Sequence, residues 1–130
     1  DNSPLTAADL AAHNYICNAL NAAYPSIPIC SEEGIENGDP STAERFWLVD
    51  PLDGTKEFIK RSGNFTVNIA LIENGNSTVG VIHVPTTNLS YVAARTQGAM
   101  KITSDGRRTE ISANHVQSHS HFFEPQLRSK

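Results

Sequence analysis

The stretch Phe46-Trp47-Leu48-Val49-Asp50-Pro51-Leu52-Asp53-Gly54-Thr55-Lys56-Glu57-Phe58 decides how the chain is read. Phe46 to Val49 are bulky, apolar and β-prone, the composition of a short buried strand. Asp50-Pro51 ends that strand, because Pro51 has no N–H to give to a ladder. Asp53-Gly54-Thr55 then has the makeup of a tight turn that opens a helix. Asp50 and Asp53, either side of the break, can aim at one point beyond the strand end, and their oxygens suit a hard cation such as Mg²⁺. The amides of Gly54 and Thr55, at a helix N-terminus, offer a seat for phosphate. A bare D-x-x-D-G favours a polar turn with Asp50 as helix cap; the full string is far more specific.

Composition narrows the setting. A chain of 130 residues suffices for one domain with a modest core. A net charge of −4 and a pI near 5.7 argue against a nucleic-acid groove or an anionic membrane surface as the main partner. No apolar run approaches a bilayer span, and no secretory signal is visible, so no transmembrane segment is expected. The two cysteines, Cys17 and Cys30, lack zinc-like or redox-like spacing and read as buried free thiols of a reducing cytoplasm. Cytoplasmic residence leaves peripheral association with an inner membrane open.

Upstream of the central stretch, Thr6-Ala7-Ala8-Asp9 has the form of a helix start, with Thr6 as N-cap and Asp9 at the third helical position. Leu10, Cys17, Leu20 and Tyr24 recur at helical spacing, and Pro25 stops the helix near Tyr24. Ile27 to Cys30 reads as an edge-like strand carrying Ser31-Glu32-Glu33 at its end. Residues 34–44 read as a polar loop without evident chemistry.

Downstream, Phe58 to Arg61 completes a short helix that Ser62-Gly63-Asn64 breaks. Phe65 to Ile72 and Ser77 to Val84 form a hairpin about Glu73-Asn74-Gly75-Asn76, and Pro85 stops the return strand. Asn88 to Ala94 and Ala99 to Ile102 continue the meander, and Asp105-Gly106 marks a further turn. The expected fold class is α+β: an antiparallel sheet covered on one face by helices. With a single long helix to cover it, part of the meander's apolar side should stay exposed. From Glu110 the pattern fails. His115, His119 and His121 are set in an aperiodic, Ser-containing tail with no element to hold ligands, so residues 112–130 read as irregular.

Trp47-Leu48-Val49-Asp50-Pro51-Leu52-Asp53-Gly54-Thr55 resembles the signature of the inositol monophosphatase superfamily of Mg²⁺-dependent, lithium-sensitive phosphatases. The run Lys56-Glu57-Phe58-Ile59-Lys60-Arg61, then Phe65 to Ile72, is similar to its CysQ-type 3'(2'),5'-bisphosphate nucleotidase branch. So are Asp1 to Asp9 and Ser31-Glu32-Glu33. The likeness extends from residue 1 to about residue 104 in order and spacing. It implies the N-terminal half of a layered αβαβα sugar-phosphatase-like fold. Residues 1–111 would be a metal-dependent phosphatase domain incomplete at both ends, since the chain opens inside a motif without an initiator Met.

The resemblance also implies roles. Glu32, Asp50, Asp53 and the Leu52 carbonyl would bind metal, with Glu33 as an orienting carboxylate. Asp9 would pair with Thr55 to activate the attacking water. Glu32, Leu52, Asp53 and the Gly54 and Thr55 amides would meet the substrate phosphate. The cofactor would be Mg²⁺, at two or more sites in the complete enzyme, with one further Asp from a W-D motif that does not follow Asp53 here. Lys56-Glu57, where inositol phosphatases usually carry T-N, favours adenosine 3',5'-bisphosphate as substrate, hydrolysed to AMP and phosphate in connection with sulfate assimilation. Inositol 1-phosphate hydrolysis, or a fragment that binds metal and phosphate without turnover, stand as alternatives. Lys60 and Arg61 read as solvated charges, with contact to an anionic substrate as the other reading. No motif speaks to oligomeric state.

Overall fold

The computed structural model describes residues 3–114. Asp1 and Asn2 of the opening motif, and His115, His119 and His121 with most of the expected irregular tail, lie outside the described residues.

Helix α1 (Pro4–Ala23) starts earlier than Thr6 suggests. Ser3 is the N-cap, its Oγ accepting the Thr6 N–H at 3.2 Å. Pro4 fills the first helical position, where a missing N–H costs nothing. Ser3-Pro4 thus outcompetes Thr6, and the reading of Thr6 and Asp9 as a capping pair is corrected. Asp9 lies beyond the first turn, which holds no acidic residue. The far end is where Pro25 puts it: Tyr24 is the C-cap, its N–H reaching the Leu20 carbonyl at 2.7 Å.

The strands are β1 (Ile29–Ser31), β2 (Gly34–Glu36), β3 (Arg45–Asp53), β4 (Thr66–Glu73), β5 (Asn76–Val84), β6 (Leu89–Ala94), β7 (Gly98–Ile102) and β8 (Arg108–Ile111), with a short helix α2 (Thr55–Ile59) after β3. They form one sheet in the order β2-β1-β3-β4-β5-β6-β7-β8. Every pairing is antiparallel except that of β1 with β3. The architecture is the expected α+β one, a mostly antiparallel sheet with α1 laid on one face. At the β4–β5 turn, Asn74 and Gly75 both take positive φ (50° and 79°), the conformation that matches the twist of a two-residue hairpin.

Three local expectations change. The strand at Ile29 is not an edge, because residues 34–36 return as β2 and take that position; the supposed loop therefore begins with a strand. Phe46 to Val49 is not buried on both faces: Trp47 and Val49 are buried, whereas Leu48 is 46% exposed. A strand covered on one side alternates, however apolar its residues. Asp50-Pro51 also does not stop β3. The register jumps from Asp50↔Asn68 to Asp53↔Thr66, so Pro51 sits in a bulge where no N–H is required.

The core lies between α1 and the sheet. Ile16 and Cys17 of α1 pack on Ile27, Ile29, Trp47, Val49 and Leu71, with Leu20, Val67, Ile69 and Val79 at the margin. Tyr24 tilts against Trp47 with ring centroids 5.4 Å apart. The opposite face carries a row of mostly small side chains in cross-strand register: Leu48, Ala70, Gly80, Ala93, Ala99 and Ile111. Leu48 and Ile82 on that side are 46% and 47% exposed, so the meander's apolar side is partly bare, as expected.

The two faces should respond differently to truncation. Ile29, fully buried, is expected to cost about 2–5 kcal/mol as Ile29→Ala. Leu48→Ala, one strand away on the open face, is expected to fall within about 0.5 kcal/mol of wild type. Urea denaturation of both variants checks this, and equal losses would refute the one-sided core.

Candidate active site

The parallel pairing of β1 and β3 builds the site. Ser31 is in register with Val49, so the next residue of each strand, Glu32 and Asp50, emerges at the same sheet end. Glu32 sits in the turn between β1 and β2, and its N–H donates to the Val49 carbonyl at 3.2 Å. The neighbouring Glu33 N–H donates to the Ser31 Oγ at 3.3 Å. Across the bulge, Asp50 Oδ1 accepts the Leu52 N–H at 3.1 Å, and Pro51 and Leu52 are left without cross-strand partners. Asp53 Oδ2 accepts from Asn68 Nδ2 at 3.1 Å.

Gly54 carries the chain into α2 with a left-handed φ of 92°. A Cβ there would come within 3.1 Å of the Asn64 carbonyl oxygen and 3.3 Å of the Phe65 Cα, so glycine is required for both conformation and space. Thr55 is the first, exposed residue of α2, and Asp9 is half-buried on α1, which packs against α2. No hydrogen bond joins Asp9 to Thr55 among the described residues. Phe58 of α2 meets Phe65 edge-on at 5.1 Å, anchoring the short helix beside β4.

Charge shows what else is gathered here. The Glu32 carboxyl is held above its ordinary range mainly by the Asp50 charge, then by burial and by Asp9, Asp53 and Glu33. Burial pushes Asp50 up, with Asp53 adding to it and the Leu52 N–H partly opposing. Burial also raises Asp9, helped by Glu33 and Asp50. Carboxylates from α1, the β1–β2 turn and β3 therefore share one electrostatic neighbourhood, at a cost to the ionised form. This donor set fits Mg²⁺: hard oxygens only, mutually repelling, beside a backbone bulge. Glu32, Asp50 and Asp53, with the Leu52 carbonyl, are the groups that could hold it.

Two supporting elements have no counterpart in the sequence reading. Thr66 Oγ1 donates to Asn68 Oδ1 at 3.0 Å, which orients the Asn68 amide toward Asp53. Thr and Asn two apart in a β-branched run share one sheet face, a signal visible in Thr66-Val67-Asn68. The second is the buried polar pair His13 and Ser31. Of the two thiols, Cys17 is buried and Cys30 only partly so.

The geometry defines a class: a mostly antiparallel sheet that gathers carboxylates where its one parallel pair ends. The chain belongs to the inositol monophosphatase family, whose match spans residues 1–128. Among relatives, it is 55% identical over 100 residues to the 3'(2'),5'-bisphosphate nucleotidase CysQ of Shigella flexneri, covering 72% of this chain and 39% of that protein. The crystal structure of CysQ from Bacteroides thetaiotaomicron superposes with a TM-score of 0.72 at 48% identity, covering 80% of this chain and 38% of the other. A 2'AMP-bound structure of SaIMPase-II superposes at 0.66 with 27% identity, covering 75% of this chain and 37% of the other. The chain spans about two fifths of the length of the curated relatives it matches.

The raised carboxylates make a pH prediction. Asp9, Glu32 and Asp50 bind protons more tightly folded than unfolded, so stability is greatest once they are protonated and falls as pH rises through their folded values, above the ordinary carboxylate value of about 4. Asp39 and Asp105, lowered by hydroxyl and amide donors at exposed turns, act below that value and with opposite sign. Metal-free thermal melts are expected to give a Tm that falls as pH rises from about 4 and levels off once the three groups are ionised, a fall flattened by saturating Mg²⁺ or by Asp50→Asn. A Tm that climbs over this window would refute the clustering.

Proposed function

We propose that this chain is the metal-binding N-terminal part of a Mg²⁺-dependent 3'(2'),5'-bisphosphate nucleotidase. The reaction is hydrolysis of the 3'-phosphate of adenosine 3',5'-bisphosphate to AMP and phosphate, a step linked to sulfate assimilation. The observation that carries this reading is the convergence of Glu32, Asp50 and Asp53 at the ends of β1 and β3, followed by Gly54-Thr55 at the start of α2. Lys56-Glu57 and the similarity to CysQ proteins favour the nucleotide over inositol 1-phosphate. No helix among the described residues is long and apolar enough to cross a membrane. A cytoplasmic setting belongs to this proposal.

When bound, Mg²⁺ acidifies a water and neutralises phosphate oxygens. The chain's own residues do the rest. Glu32, Asp50 and Asp53 supply the charge that holds the cation, and Glu33 and Asn68 orient them. The Gly54 and Thr55 amides face the phosphate. Asp9, whose burial and acidic neighbours raise its affinity for a proton, accepts the proton of the attacking water. The water oxygen bonds to phosphorus as the phosphorus–3'-oxygen bond breaks, and the departing 3'-oxygen takes a proton from solvent water to leave as the nucleoside hydroxyl.

Phosphate release from the bisphosphate nucleotide and from inositol 1-phosphate, with Mg²⁺ and with added Li⁺, tests the reading in the complete reading frame. Preference for inositol phosphate would move the chain to the neighbouring branch. Asp50→Asn and Asp53→Asn are expected to abolish turnover without unfolding the protein; near-wild-type rates at saturating Mg²⁺ would sink the ligand assignment. Glu32→Gln is expected to weaken Mg²⁺ binding more than Glu33→Gln. Asp9→Asn is expected to slow turnover by about 10²–10⁴-fold with little change in Mg²⁺ affinity. Because Asp9 is not a cap, Asp9→Asn should not lower stability, and a Tm drop matching the loss of rate would return it to a structural role. The present chain, with three carboxylates and no W-D Asp, is expected to bind Mg²⁺ weakly and turn over poorly.

A further inference from the structure

His13 and Ser31 are the buried polar side chains among the described residues, 6% and 8% exposed. They meet where α1 lies on the β1–β2 hairpin. Both imidazole nitrogens are engaged: Nδ1 is 2.9 Å from Ser31 Oγ, and Nε2 is 3.1 Å from Glu36 Oε1. A carboxylate only accepts, so in the neutral imidazole Nε2 carries the hydrogen and Nδ1 presents a lone pair. The Ser31 hydroxyl therefore donates to Nδ1, and its oxygen accepts the Glu33 N–H at 3.3 Å. The chain of bonds runs from Glu36 of β2 through α1 to the turn that carries Glu32.

That direction has a consequence. A serine hydroxyl free to rotate can satisfy itself elsewhere and release the amide. With its proton fixed on His13, its lone pair stays aimed at Glu33. The two-residue turn is then pinned at both amides, Glu32 to the Val49 carbonyl and Glu33 to Ser31. We infer that His13 is a positioning residue, acting through the Ser31 hydroxyl to fix the turn that presents Glu32. The inference rests on the reading of Glu32 as a metal ligand.

His13 and Glu36 also belong to a candidate metal cluster. The ligand atoms of His13, Cys17 and Glu36 lie within 4.8 Å of one another, close enough to hold a transition metal. Cys17 Sγ is 3.7 and 3.8 Å from the two ring nitrogens. Burial, then the Glu36 charge, pushes the Cys17 thiol up to about 11, and both ring nitrogens already have oxygen partners. The relay uses His13, Ser31 and Glu36 in their observed geometry.

The test uses the present chain, with two readouts. Amide exchange at Glu33, followed by NMR without metal, is expected to quicken about five- to tenfold in Ser31→Ala and His13→Ala, the loss of one modest hydrogen bond. Mn²⁺ binding, followed by electron spin resonance, is expected to weaken about tenfold in the same variants, as for other groups that orient a ligand. Ser31→Thr, which keeps the hydroxyl, should restore both. Ile16→Ala, a core truncation on the same helix outside the relay, should lower Tm and leave both unchanged. Glu33 protection and Mn²⁺ affinity that survive in Ser31→Ala, or that fall equally in Ile16→Ala, would overturn the relay. Stoichiometric Zn²⁺ binding lost in Cys17→Ala would overturn it in favour of a metal site. Wild-type chain that binds no Mn²⁺ sensitive to Asp50→Asn would instead overturn the functional reading on which the relay rests.

Discussion

The parallel pairing of β1 with β3 is the contact on which the rest depends. All other strands pair with antiparallel neighbours, an arrangement that needs only short turns. Here Ile29↔Trp47 and Ser31↔Val49 bring together segments separated by β2 and a loop, and point both the same way. Parallel strands in register keep successive residues level, so the residues that follow Ser31 and Val49 are neighbours. That is why Glu32, in the β1–β2 turn, and Asp50, at the bulge of β3, share a site. The same pairing buries Ile29 and Val49 beneath α1, so the most buried part of the core and the acidic site are two ends of one construction.

The acidic site is electrostatically unfavourable without a counter-ion, and the surroundings are arranged to tolerate it. Donors meet the charge from outside the cluster: the Leu52 amide at Asp50, and Asn68 at Asp53. The bulge at Pro51 opens the strand without leaving a broken ladder bond there, since Pro51 has no N–H to lose. Gly54 turns the chain within a space that admits no side chain. The stability needed to hold these carboxylates together comes from the opposite side of the strands, where Trp47, Val49 and Leu71 pack on α1.

Much of this was legible in the sequence, for reasons that can be named. Asn74-Gly75 declares a hairpin because few residues accept two positive φ values. The turns at Pro85 and Asp105-Gly106 punctuate the meander in the same way. What misled was competition between adjacent signals. Thr6 is a good cap until Ser3-Pro4, three residues earlier, is seen to be better. Pro51 is a good strand terminator unless a bulge removes the requirement for its N–H. Residues 34–44 look like a loop because a three-residue edge strand has too little length to show a period. Asp50 and Asp53 stand out from the residues themselves and Glu32 from the resemblance, and the three lie together in the fold, whereas Asn68 and His13, which support the site, stand out in neither way. His13 sits in a helix whose apolar spacing explains the helix without it, and its partners Ser31 and Glu36 come from elements that only the tertiary structure brings near.

The hairpin succession from β4 to β8 also separates the fold in time. Each of those pairings closes a short loop between strands that follow one another, which favours early formation. The β1–β3 ladder and the docking of α1 join segments much farther apart, and loop closure disfavours them until the meander offers β3 a partner. We expect the acidic edge to assemble last, and pulse-labelled hydrogen exchange during refolding would show β5 and β6 amides protected before those of Ser31 and Val49. A chain emerging from the ribosome would then hold its self-repelling carboxylates apart until a finished sheet is ready to receive them.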